Sequence, residues 1–359
     1  MIRFGIVGCG AIAKRHANIL ASGHVPGAEL AAVCDIDGER ARNFAAPYRV
    51  EAFTAADQMI REAAIDVAVV LTPSGHHAAL VTNLAGLAKA IVVEKPMALT
   101  LDDADQMITA CDRHRTRLFV VKQNRFNRPV MALRRALEAG RFGRLVMGTV
   151  RVRWCRPQSY YDAAKWRGTW AYDGGVLSNQ ASHHIDLLEW MMGPVESVSA
   201  ISSKALAKIE AEDTAAAILR FRSGALGIVE ATTATRPKDL EGSLSILGEK
   251  GSVVIGGFAV NELKTWAFSS PAPEDANVMK EHGTNPDHAH GYGHAAYYEH
   301  VVACLENNTP QLVDGLEGRK SLELITAIYE AIETGREVQL RFNPKRCRLG
   351  QIPLESPEA

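Results

Sequence analysis

The chain has 359 residues, with 40 Lys plus Arg against 41 Asp plus Glu and a formal net charge of −1. That balance supplies no field for holding a polyanion, which argues against a nucleic-acid-coating protein, and 47% hydrophobic with 23% charged residues excludes a mainly disordered chain. No apolar run reaches the roughly 18 to 20 residues that a membrane-spanning helix requires, so no membrane partner is expected.

At this length two domains are expected rather than one large core. The N-terminal residues Met1 to Val7 pass directly into a strand-like run without an apolar leader, and the six cysteines are scattered with no Cys-x-x-Cys pair. Reduced thiols in a cytoplasmic protein are the expectation. From residue 3 to about 123, short β-branched runs (Phe4 to Val7, Leu30 to Cys34, Val67 to Leu71, Ala90 to Val93, Leu118 to Val121) alternate with amphipathic stretches. Parallel neighbours need a crossover, so this rhythm predicts a doubly wound α/β domain with a parallel sheet over residues 1–124.

Beyond that point the strand-like runs lengthen: Arg144 to Trp154, Val195 to Ser202, Thr214 to Phe221, Ala225 to Thr233, Ser243 to Leu247 and Ser252 to Ile255. Ser223-Gly224 and Glu249-Lys250-Gly251 stand between runs as hairpin signals. Residues 125–343 are therefore expected to form an α+β domain with a large, mostly antiparallel open sheet. Helical patterns from Tyr292 to Glu306 and from Glu317 to Glu333, the second ended by Gly335, are expected to cover one sheet face. An apolar opposite face would favour a homodimer or homotetramer. The Pro-rich polar tail, residues 344–359, is expected to be mobile.

Gly8-Cys9-Gly10-Ala11-Ile12-Ala13 follows the first strand and opens a helix, the context of the dinucleotide fingerprint. Its glycines permit a tight turn and close approach of backbone to a pyrophosphate, so Gly8, Gly10, Ala11 and Ile12 are candidate cofactor contacts. Asp35 ends the second strand at the spacing where a carboxylate accepts from both ribose hydroxyls and repels a 2′-phosphate, favouring NAD over NADP. His16 and His24 carry no expected chemistry. At later strand ends lie Thr72-Pro73-Ser74-Gly75-His76-His77 and Glu94-Lys95-Pro96, both expected at the nicotinamide side of the cleft. An oxidised nicotinamide beside Lys95 would lower its pKa towards a catalytic range. Asn179 and His183, four apart and read as one helix, would share a face and address one substrate carbon.

These residues, Gly8-x-Gly10-x-x-Ala13, Glu94-Lys95-Pro96 and Gly174-Gly175 followed by His183-x-x-Asp186, resemble the Gfo/Idh/MocA oxidoreductases over nearly the whole chain. The resemblance implies an N-terminal Rossmann domain binding NAD or NADP, a C-terminal open sheet carrying the substrate site, and Lys95 and His183 flanking the reacting alcohol. Val121 to Arg125, Tyr160-Tyr161-Asp162, Trp166 to Trp170, Asn179 to His183 and Leu240 to Ser243 are similar to a narrower branch. Its bacterial members oxidise C3 of a UDP-linked N-acetylglucosaminuronate for O-antigen synthesis. By the same resemblance Thr72, Pro73, Ser74, His77, Glu94, Lys95, Gln123, Trp166 and Arg167 line the cofactor. Many relatives carry Asp at the position of Asn179, so a carboxylate relay from there is not expected here.

A uronate and a diphosphate need cationic or donor groups, which makes Lys122, Asn124, Arg125, Arg156, Arg167 and Lys238 candidates, with Lys122 and Arg125 favoured. Tyr160 and Tyr161 either flank sugar and base or fill the interdomain seam. Either His183 or Lys95 takes the hydroxyl proton. His282, His288, His290, His294 and His300 raise a metal site, but no Cys or acidic partner completes a ligand set and none is expected. His294 and Tyr297 are read as a helix face near the substrate cleft. Another sugar or inositol dehydrogenase, a glycosidase oxidising C3 transiently, and a non-enzymatic NAD sensor are the alternatives.

Overall fold

The computed structural model describes residues 1–273, 275–284 and 293–340. Consequently His288, His290, Tyr292 and the tail 344–359 lie outside the described residues. The chain opens with β1 (Ile2–Val7), α1 (Ala11–Ala21), β2 (Ala28–Cys34), α2 (Gly38–Ala45), β3 (Glu51–Phe53) and α3 (Ala56–Glu62). It continues with β4 (Val67–Val70), α4 (His77–Leu84), β5 (Ala90–Val93), α5 (Leu101–His114) and β6 (Arg117–Val120). These six strands form one parallel sheet in the order β3-β2-β1-β4-β5-β6. The sequence rhythm missed β3, a three-residue edge strand too short and too polar to show a period. Strands β4 and β5, buried along their whole length, are the unbroken Val/Ile/Ala runs that a sheet covered on both faces demands.

The second half comprises α6 (Arg128–Glu138), β7 (Leu145–Arg153), α7 (Gln158–Asp162), α8 (Ser182–Met192), β8 (Val195–Ser203), β9 (Thr214–Phe221) and β10 (Leu226–Thr232). After these come β11 (Glu241–Gly248), β12 (Gly251–Gly256), β13 (Glu262–Phe268), α9 (Asp275–His282), α10 (Gly293–Asn307), α11 (Gly315–Thr334) and β14 (Val338–Gln339). An eight-stranded sheet runs β13-β12-β11-β7-β10-β9-β8-β14, antiparallel throughout except for β7 beside β10. Both expected hairpins are present, joining β9 to β10 and β11 to β12. Strands β13 and β14 are additions to the sequence expectation.

One face of this sheet carries Val150, Val152, Ala215, Ala217, Leu219 and Val229 into a core shared with α8 and α11. The period-2 alternation leaves Ile201, Ile218 and Leu226 outward on the other face, 75%, 62% and 43% exposed. Across the same face Arg151 and Arg153 pair with Glu230 and Glu241.

The two C-terminal helices divide their work, contrary to the expectation that both cover the second sheet. Helix α11 packs on β8 and α8. Helix α10 instead returns to the first unit, where Tyr297, Tyr298, Val301 and Val302 join Phe4, Ile6, Ala13 and Ala17 in one core.

The units are tied by buried charge. Arg125, just past β6, donates Nε and Nη2 to Asp186 of α8 at 2.7 and 2.8 Å and Nη1 to Glu317 of α11 at 2.9 Å. Lys122 adds its ammonium 3.4 Å from Asp186, and Arg125 and Asp186 are each about 2% exposed. Removing one member strands the others without water. Asp186→Ala is expected to cost about 3 to 5 kcal/mol of unfolding free energy, measured by urea denaturation. An unchanged midpoint would contradict this role for the cluster.

Candidate active site

The glycine turn sits at the carboxyl edge between β1 and β4, where the strand order reverses. Gly8 has φ +99°, and a side chain there would come within 3.0 Å of the Leu71 carbonyl carbon and of Thr72. Gly10 caps α1 without a side-chain hydrogen bond, so the N–H groups at the start of the helix, from Ala11 and Ile12, face outward as an anion site. Asp35, 7% exposed, accepts from Cys9 N at 2.9 Å and Asp37 N at 3.0 Å, with the Arg40 guanidinium at 3.3 Å. These contacts fix the carboxylate beside the glycine turn.

At the neighbouring strand ends, His77 bridges the Thr72 carbonyl at 2.8 Å and the Pro96 carbonyl at 2.9 Å. It is a buried staple between the two turns rather than an exposed cofactor contact. Ser74 is buried in the first turn beside Pro73, and residues Ala171 and Tyr172 of the second unit press on Gly75. The loop running on from Trp166 and Arg167 to Tyr172 thereby reaches the Thr72–His77 turn of the first unit.

Lys95 donates Nζ to the Asn179 carbonyl at 3.1 Å and to Asn179 Oδ1 at 3.3 Å. Burial lowers its pKa below the ordinary lysine value, against the pull of Glu94 and Asp173. The Asn179 amide in turn donates to Asp173 Oδ1, while Asp173 Oδ2 accepts from Gly168 N at 2.9 Å. Burial raises the Asp173 pKa. Asn179 is not on α8, which starts at Ser182; it lies in the preceding turn, so the helical-spacing argument for its pairing with His183 does not hold. Lys95 holds Asn179 in place instead.

His183 stands in the first turn of α8, 8% exposed, with Nε2 3.1 Å from the Gln123 side-chain amide. Burial, then the nearby Lys95 and Lys122 charges, hold its pKa well below that of free histidine, so the ring is neutral. Its neighbour His184 points away into the core beside Trp154. Thr72 Oγ1, Gln123 Oε1, Arg167 Nε and His183 Nδ1 are all buried without a hydrogen-bond partner. Buried polar atoms seldom remain unpaired, and this set, together with the glycine cradle and the Asp35 carboxylate, fits a dinucleotide and a polar substrate.

Other expected contacts are placed differently. Arg125 and Lys122 are engaged within the protein: the first is spent on Asp186 and Glu317, and the Lys122 ammonium lies 2.6 Å from Ser321 Oγ. Asn124 is buried with them, at 6% exposure. Tyr161 is buried within the second unit, its hydroxyl 2.8 Å from Thr233 Oγ1. Tyr160 lies under the Arg167 guanidinium at 4.1 Å. Arg156 bonds Asp239, Lys238 is exposed, and His294 is buried where it accepts from Arg15 Nε at 3.2 Å. Asp173 and His16, neither singled out from the sequence, both belong to the network around Lys95. The only signal for Asp173 was its place directly ahead of Gly174-Gly175.

Two family models match, one described as an oxidoreductase family NAD-binding Rossmann fold over residues 2–122 and one as the C-terminal alpha/beta domain of that family over residues 134–340. The WlbA dehydrogenase from Bordetella pertussis, solved in complex with NADH and UDP-GlcNAcA, is 44% identical, with a TM-score of 0.89 covering 95% of this chain and 98% of that one. The WlbA dehydrogenase from Chromobacterium violaceum, also solved with NADH and UDP-GlcNAcA, is 43% identical, with a TM-score of 0.88 over 95% and 96%. Among curated relatives, the D-apiose dehydrogenase of Paraburkholderia graminis is 27% identical over 94% of this chain and 89% of its own length. Among the described residues no helix is long and apolar enough to cross a membrane.

Asp35, fixed beside the glycine turn, is the carboxylate expected to meet the ribose hydroxyls. Asp35→Ala is expected to weaken NAD binding by about tenfold or more and to erase the preference over NADP, as read by fluorescence titration of both. Retained discrimination would show that another group selects the cofactor.

Proposed function

Because the chain belongs to the Gfo/Idh/MocA family of NAD-dependent oxidoreductases acting on sugar and inositol CH–OH groups, we propose that its substrate is a UDP-linked N-acetylglucosaminuronate oxidised at C3. The observation that carries this reading is the shared role of Arg167, which both faces the Lys95 site and lines a neighbouring cavity of about 820 Å³. Lys165, Lys204 and Lys208 line the same cavity beside Asp162 and Glu210, an excess of cations suited to the diphosphate that a free polyol lacks. The identity to the two dehydrogenases solved with UDP-GlcNAcA supports the same assignment.

When bound, NAD supplies the hydride acceptor. Lys95, held by both oxygens of Asn179, directs its ammonium at the substrate hydroxyl and stabilises the developing alkoxide. Neutral His183 takes the hydroxyl proton. The Gln123 amide nitrogen donates to His183 Nε2 at 3.1 Å, which leaves the ring proton on Nδ1, so the lone pair that accepts the hydroxyl proton is that of Nε2, once the substrate hydroxyl takes the place of the Gln123 amide. Asn179 positions the sugar without titrating and passes the Asp173 carboxylate's influence to Lys95.

The outward face of the large sheet supports a homo-oligomer. Ile201, Ile218 and Leu226 flank the Arg151–Glu230 and Arg153–Glu241 pairs, which makes an apolar field with both charge signs, suited to a second copy related by a two-fold axis. Ile218→Asp is expected to shift the protein to a smaller species in analytical ultracentrifugation. An unchanged sedimentation coefficient would remove this face from the assembly.

Turnover is tested with UDP-N-acetylglucosaminuronate beside UDP-N-acetylglucosamine, myo-inositol and D-apiose, following nicotinamide absorbance. NADH formation is expected with the uronate alone; oxidation of inositol or apiose in preference would overturn the substrate assignment. Lys95→Ala and His183→Asn are each expected to lower kcat by at least about 100-fold while NAD affinity stays within about twofold. The acid limb of the wild-type pH profile is expected below the ordinary histidine pKa, because the lowered His183 value keeps the ring unprotonated as pH falls towards it. Near-wild-type turnover in both variants would dismantle the proposed site.

A further inference from the structure

From the Lys95 backbone runs a buried chain of hydrogen bonds that the proposed mechanism does not use. Glu94 Oε2 accepts from the Lys95 backbone N–H at 2.9 Å. Its other oxygen, Oε1, lies 3.1 Å from His16 Nε2 on α1, and His16 Nδ1 lies 2.6 Å from the Tyr298 hydroxyl on α10. His16 and Tyr298 are 0% exposed and Glu94 is 6% exposed. Burial keeps the phenol protonated well above its usual range, so Tyr298 donates to Nδ1 and the imidazole proton resides on Nε2, aimed at the carboxylate.

We propose that Tyr298 and His16 are positioning residues that hold Glu94 as a carboxylate beside Lys95 and so keep the substrate-facing amine in its ammonium form. The proposal rests on Lys95 contacting the reacting hydroxyl, as the proposed function has it. An unpaired carboxylate at this depth would take up a proton, and Lys95 would lose one of the two carboxylates that favour its charge. Burial works against the charge on Glu94, but the His16 hydrogen bond and the Lys95 ammonium outweigh it and keep its pKa below the ordinary value.

The surroundings of both groups are charged on several sides. Glu94 is faced by His16 from α1, His77 from α4, and Tyr297 and Tyr298 from α10. Lys95 is faced by Glu94, by Asp173 and His183 from the second unit, by Lys122 at the end of β6, and by Arg167. With two like charges already bearing on it, Lys95 depends on its acidic neighbours to stay protonated. His16, Glu94 and His294 also bring ligand atoms within 4.8 Å of one another. A cation cage is disfavoured because His16 and Glu94 are already paired and the Arg15 guanidinium donates to His294 Nδ1.

The test compares wild type with Tyr298→Phe, His16→Leu and His16→Gln, the last restoring an amide donor near the place of Nε2. Each is checked for melting temperature and NAD affinity, then assayed across pH on whichever alcohol of the panel the wild type oxidises. His16→Leu is expected to lower kcat by about tenfold with KM and NAD affinity within about twofold, and to move the alkaline limb about one unit to lower pH. Tyr298→Phe should show a smaller shift in the same direction, and His16→Gln should recover most of both. Alkaline limbs that coincide with wild type in His16→Leu and Tyr298→Phe would overturn the relay, as would a rate loss matched by lost NAD binding. Failure of the uronate assignment is seen separately, in the wild-type substrate panel, and leaves this comparison intact on another alcohol.

Discussion

The candidate site is assembled from groups on two different sheets, and the buried fork of Arg125 on Asp186 is what sets them at a fixed distance. Asp186 lies three residues beyond His183 on α8, so a bidentate clamp on the carboxylate fixes the helix in both direction and rotation. Glu317 and Lys122 extend the clamp to α11 and to the strand end beside Gln123. Charges with this little exposure are costly to bury singly and tolerable only as a completed set, so the cluster favours one arrangement of the two units over nearby ones.

The geometry that results gathers buried polar groups in the cleft. Gln123 Oε1, His183 Nδ1, Thr72 Oγ1 and Arg167 Nε are buried without protein partners. Such groups favour a ligand that supplies the missing partners, the logic of preorganised electrostatic stabilisation. Lys95 and His183 share this environment, and each is biased by burial towards the state in which it carries less charge. The acidic side of the network, Glu94 and Asp173, offsets the bias at Lys95 and leaves it uncorrected at His183.

Strands whose whole length is buried, such as β4 and β5, were legible in the sequence because their apolar runs have no other use. So were the glycine turn at the switch point and the placing of Asp35 beside it. What escaped were interactions between residues remote in the chain. Arg125 looked like a substrate ligand because nothing local reveals a partner 61 residues away, and His16 looked inert because Glu94 and Tyr298 lie 78 and 282 residues further on. Asn179 was misassigned to a helix for a different reason: the Gly174-Gly175 turn continues until Ala181, and spacing alone cannot show where α8 begins. The edge strand β3, with only three residues, was below the length at which alternation can be seen.

Helix α10 crosses back to complete the interior of the first unit, setting Tyr298 edge-on against Phe4 at 5.6 Å. During synthesis the nucleotide-binding half therefore emerges from the ribosome with one flank of its sheet uncovered, and it stays so until nearly 300 residues have been made. Its completion waits on the C-terminal half, so a fragment ending near residue 124 would be a sticky, half-clad sheet rather than a miniature NAD-binding protein.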